Sequence, residues 1–162
     1  MFYSSTIFKN VGSIDPVVIN FLIGSVNFFG TLVGLMLLSR AGRKILMFLG
    51  SGIQSVILAL LGLFLLWENK FMPVVLVLLF VLFFEMSSGP ITWLYMAEIM
   101  HDKSLGIAVV MNWLVNLGIA IGTPPLVDAV NIGYIFIALG IFTLLGTFYI
   151  KIFMKETRNK TP

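Results

Sequence analysis

Five apolar stretches, each long enough to cross a lipid bilayer, dominate this 162-residue chain and leave it few ways to fold. They cover 17–38, 45–67, 71–97, 104–127 (densest up to Gly122) and 132–154. Crossing the hydrocarbon core takes about 20 residues of helix at ~1.5 Å each. Lipid offers no partner to a bare amide or carbonyl, so a spanning segment must be a helix or part of a closed barrel. These runs are continuously apolar and lack the period-2 alternation of barrel strands. Charged residues make up only 10% of the chain, against about 25% in soluble domains. The expected class is an all-α integral membrane protein, with the bilayer as its first partner.

The remaining composition narrows the possible chemistry. Without cysteine, neither a disulfide framework nor a thiolate metal site can form, and the single His101 cannot assemble a metal cluster alone. No cofactor motif is present, and no nucleophile–base pair marks an enzyme. The net charge of +3 does not imply nucleic acid, because the cations sit in short breaks between apolar runs. Arg40, Arg43, Lys44, Lys103, Lys151, Lys155, Arg158 and Lys160 fall on one side, with Lys9 and Lys70 opposite. The positive-inside rule makes the first side, and with it the C-terminus, cytoplasmic. The first full span then starts outside, so Met1–Phe8, about 12 Å of helix, reads as the last turns of a preceding span. The expectation is a truncated chain or incomplete gene product, with a natural five-span protein as the alternative.

Polar residues at depth carry the functional signal, since each is costly in lipid unless satisfied. Glu85 lies near the centre of the third run; a central carboxylate costs roughly 2.5–3.5 kcal/mol on insertion scales, so it is expected to face the bundle interior. Asn27 lies mid-way along the first run. Asn112 and Asn116, spaced i,i+4, share one face of the fourth. Single membrane asparagines often serve only as interhelical glue. Amides from two helices and a carboxylate from a third, at one depth, suit the hydroxyls of a sugar or polyol better than a bare ion.

After Glu85, Ser87-Ser88-Gly89-Pro90 removes a backbone donor and loosens the helix, as in helices that line transporter cavities. Trp93 follows about 12 Å further on, where its indole offers an apolar face to a sugar ring and an N–H to a hydroxyl. Gly30-xxx-Gly34 and Gly118-xxx-Gly122 permit close helix approach, and Thr123-Pro124-Pro125 is expected to end or kink the fourth span.

These residues together resemble the sugar porters of the major facilitator superfamily, the glucose-transporter-like proteins. FYSSTIF at positions 2–8, within the 1–10 stretch, is similar to the end of that family's seventh helix, and SRAGRK to the acidic-R-x-G-R-[RK] loop after the eighth. FFEMSSGPITWLYMAEIM is similar to the tenth helix, Asn112-Trp113 with Asn116 to the eleventh, and KETR to the closing PETKG signature. The resemblance implies the C-terminal six-helix half of a major facilitator fold over 1–162, as five full transmembrane helices plus the end of a sixth. It implies transport of a hexose-like sugar by alternating access, at the plasma membrane. Asn27, Glu85, Trp93, Asn112 and Asn116 match positions around the sugar. Tyr3 matches an extracellular gate, and Arg40, Arg43, Glu98 and Glu156 a cytoplasmic charge network that latches the outward-open state.

Departures bear on the latch more than on the pocket. Ser39 stands where an acidic residue normally precedes the arginine, Thr92 where proline precedes Trp93, and Lys155 where PETKG begins with proline; Lys103 is the nearest substitute for a loop arginine. The family's first six helices, a missing N-terminal half expected in a functional parent, have no counterpart in these residues. The alternatives are a non-transporting remnant, or a porter for another polyol or an organic acid.

Overall fold

A computed structural model of the chain describes residues 16–69 and 71–157. The described residues form helices throughout: α1 (Pro16–Arg40), α2 (Arg43–Leu66), α3 (Met72–Phe83), α4 (Gly89–Ile99), α5 (Asp102–Ala129) and α6 (Ile132–Phe153). A π-helical segment, Phe84–Ser88, joins α3 to α4, so that 72–99 makes one span and the total is five helices long and apolar enough to cross a membrane. Tyr3 and the rest of 1–10 lie outside the described residues, as do Lys9, Lys70, Arg158 and Lys160.

Short polar links turn the chain between spans. After α2, Glu68 adopts a left-handed φ of 53°, and the Asn69 amide reaches back to the Phe64 carbonyl. Asn69 Oδ1 then accepts from the Phe71 and Met72 amides at 3.1 and 3.0 Å, meeting two of the donors that a helix start leaves open. Asn131 does the same for α6 through the Gly133 amide at 2.9 Å. The fourth span does not stop at its prolines. α5 runs through Pro124 and Pro125 to Ala129, although each proline removes a ladder donor and crowds the carbonyl four residues before it.

Packing is most extensive between α2 and α6. Small residues allow it: a Cβ on Gly133 would stand 2.8 Å from the Gly62 carbonyl oxygen, and one on Gly140 3.1 Å from the Ala59 nitrogen. Backbone approach of this kind maximises dispersion contact where lipid supplies no hydrophobic drive. Ile57, Leu61 and Leu76 form the adjoining core, flanked by Phe83 and Phe136. α1 lies against the π-helical segment and α3. α5 touches the bundle mainly through α4, and no residue of its 102–127 stretch is buried.

Candidate functional site: a cleft at a broken helix

The site begins with the loosened third span. Pro90 lacks an amide hydrogen, and the Gly89 amide reaches five residues back to the Phe84 carbonyl instead of four. The wider turn changes the direction of the side chains it carries. Hydroxyls take up the displaced carbonyls: Ser87 Oγ donates to Phe83 O at 2.7 Å, and Thr92 Oγ1 donates to Ser88 O.

The π segment is held between two helices at close range. On one side, a Cβ on Gly34 would stand 2.8 Å from the Glu85 carbonyl oxygen, and one on Gly30 3.0 Å from the Glu85 Cβ. The first small-xxx-small motif is therefore the surface on which the π turn sits. On the other side, a Cβ on Gly50 would overlap the Ser87 side chain. The second motif has no such neighbour: nothing lies within 4 Å of a Cβ at Gly118 or Gly122.

A cleft of about 540 Å³ opens beside the π turn, lined by Glu85, Ser88, Thr92 and Trp93 with Asn112 and Asn116 of α5. Four of the five residues expected to contact sugar thus share one opening. Glu85 Oε2 lies 3.1 Å from Thr31 Oγ1, while the same hydroxyl lies 2.9 Å from the Asn27 carbonyl oxygen. A threonine has one proton for these two acceptors. Asn116 Nδ2 donates to Asn112 O and Oδ1 at 2.8 and 3.1 Å, which leaves Asn112 its amide hydrogens and Asn116 its carbonyl oxygen for a third group. Trp93 is 44% exposed and presents its indole on the same lining.

Asn27 is not on that lining. It sits one turn before Thr31, and its Oδ1 is buried without a hydrogen-bond partner. Sequence reasoning passed over Thr31 and Gln54. Both are polar residues at mid-span, the signal used for the asparagines, but hydroxyls commonly satisfy themselves on their own helix and Gln54 stood alone.

At the C-terminal end of the third span, beyond the cleft, charged residues gather. Arg43 Nη2 and Glu98 Oε1 are 3.0 Å apart. Glu156 accepts from the Arg43 and Lys44 amides at 2.9 and 3.1 Å, so a carboxylate from beyond α6 caps the positive end of the α2 dipole. Thr157 Oγ1 donates to Glu98, and the Lys155 amide donates to Tyr95 Oη at 3.2 Å. The segment after α6 therefore straps the ends of α2 and α4. Arg40, the last residue of α1, lies at the same link.

Five helices long and apolar enough to cross a membrane, one of them broken at a polar-lined π turn, define a multi-pass membrane architecture. All of residues 1–162 match the family model described as "Sugar (and other) transporter", and the chain belongs to this family. It is 31% identical over 175 residues to the facilitated trehalose transporter Tret1 of Drosophila willistoni, covering 99% of this chain and 20% of that protein. Among solved structures, the inward-open xylose transporter XylE from E. coli superposes with a TM-score of 0.83 at 26% identity, over 96% of this chain and 38% of that one. The proton:xylose symporter XylE bound to 6-bromo-6-deoxy-D-glucose gives a TM-score of 0.86 at 25% identity, over 99% and 36%. The chain thus spans about a fifth of the trehalose transporter and just over a third of the xylose transporter.

Proposed function

We propose that this chain forms the C-terminal wall of a carrier for a hexose-like sugar that works by alternating access. The observation that carries the reading is the shared cleft: Glu85, Trp93, Asn112 and Asn116 converge on one opening at the π turn. Glu85 and the two amides bond hydroxyls, and Trp93 covers the ring; Asn27 adds its unpartnered Oδ1 when the cleft narrows. An organic acid fits less well, because the cleft lining holds a carboxylate and, among the described residues, no cation. On this reading the spans 17–38, 45–67, 71–97, 104–127 and 132–154 take the places of helices eight to twelve, and 1–10 that of the end of helix seven with Tyr3 at the outer gate.

The family's halves are related repeats with substrate between them, so an N-terminal half of the same fold supplies the facing wall. The cationic links and the C-terminus lie in the cytoplasm of a plasma-membrane protein, where Arg40, Arg43, Glu98 and Glu156 latch the outward-open state.

The test is binding of radiolabelled D-glucose and D-xylose to the purified chain in lipid nanodiscs, followed by uptake in cells that co-express it with the N-terminal half of a relative. Saturable binding is expected. Glu85→Gln should weaken it roughly tenfold or more, the size of a hydrogen bond to a charged group. Equal affinity in both proteins would sink the site assignment.

A further inference from the structure

One buried polar side chain has no part in the cleft and yet is tied to it. Gln54, at mid-length in α2, is 4% exposed. An unsatisfied amide there is expensive, and its partners all belong to the broken span. Nε2 lies 2.9 Å from Ser88 Oγ, 3.2 Å from Ser87 Oγ and 3.4 Å from Phe83 O, three acceptors for its two hydrogens. The hydroxyls on the same helix behave differently: Ser51 and Ser55 turn back to Met47 and Gly52, within one turn. Gln54 therefore does what a serine in its place would not; it fastens α2 to the π turn from behind.

The acceptors are the residues whose geometry the π turn sets. Phe83 O is a carbonyl that Ser87 Oγ also contacts, and Ser87 and Ser88 close the same π segment that carries Glu85. Gly50, one turn earlier in α2, leaves room for only the Ser87 side chain. A π turn can slide by one residue along a helix only if its hydrogen bonds re-form, and an amide whose two hydrogens are spent on acceptors at the turn opposes that slide. Any slide would rotate Glu85 away from Thr31 and from the cleft.

We infer that Gln54 is a positioning residue: it pins the register of the π turn and so holds the Glu85 carboxylate toward the sugar without touching it. This rests on the sugar-cleft reading above. The test is a binding cycle in nanodiscs with Gln54→Met, which keeps the volume and removes the donors, in both native and Glu85→Gln backgrounds. Gln54→Met is expected to weaken sugar binding roughly tenfold, as loss of one or two neutral hydrogen bonds would, and to add almost nothing once Glu85 is already glutamine. Should Gln54→Met not fold, Ser87→Ala removes an acceptor outside the cleft and is expected to show the same non-additivity with a smaller loss. Native affinity in Gln54→Met, alongside a weakened Glu85→Gln, overturns the positioning role alone. Fully additive losses overturn it too, since they would mark a general packing effect. An unchanged Glu85→Gln removes the cleft reading and the positioning role with it.

Discussion

α2 and α5 are both long apolar spans, and their surroundings could hardly differ more. Of the most apolar window of α2, 44% is buried within the described structure; of the corresponding window of α5, none is. Glycines on α2 bring it within backbone reach of α6 and the π turn, whereas glycines on α5 face open space. Hydropathy alone reports that both belong in lipid. It says nothing of which helix builds the scaffold and which one lends its asparagines to a cleft. α2 is the scaffold and α5 is the presenting surface, the division expected when a rigid element holds a site that another completes.

The sharpest break of this comparison is a matched pair of alanines. Gly50→Ala places a methyl group on the Ser87 side chain and should destabilise the chain by about 1–3 kcal/mol, as overpacking does. Gly118→Ala meets nothing and should be neutral, or stabilising by roughly 0.5–1 kcal/mol through helix propensity. Thermal unfolding of both variants in detergent reads the difference; equal shifts would mean the two helices are packed alike.

A second variant asks whether α5 serves binding and not stability. Asn116→Leu is expected to weaken sugar binding by about 0.5–1.5 kcal/mol, the worth of a neutral hydrogen bond, while the melting temperature stays put because the side chain is exposed. A large fall in melting temperature would return Asn116 to the role of interhelical glue. The smallest effect belongs to the strap. Arg43 and Glu98 are partly exposed, so a double-mutant cycle between them should give only about 0.2–1 kcal/mol of coupling. That coupling should shrink with added salt.

Much of the fold was legible because the physics of a spanning helix is local. Continuous apolar length names the element, and the short polar breaks place the links between spans. The loosening after Glu85 was legible too, since Pro90 carries its missing donor wherever it stands. Pro124 and Pro125 were expected to end or kink the fourth span; they do not end it, since α5 carries both and continues to Ala129, close to the expected bound at Val127. Of the five residues proposed to contact sugar, Glu85, Trp93, Asn112 and Asn116 share the cleft lining. Asn27, equal to the others by depth, lies off the cleft lining, and Thr31 holds the Glu85 carboxylate in its stead. Gln54 escaped notice because its worth depends on three acceptors some thirty residues away.

The sequence by itself determined the solvent, the number of long apolar helices and which polar residues lie at depth, because these follow from transfer free energies and backbone hydrogen bonding within single segments. Tertiary structure alone decided that the break is a π turn wedged between α1 and α2, that one glycine motif is a contact and the other is not, and that Glu85 meets Thr31. Those outcomes depend on which face of one helix meets which face of another. Between apolar helices in lipid, that choice rests on close packing and a few buried hydrogen bonds, and neither can be read from one segment at a time.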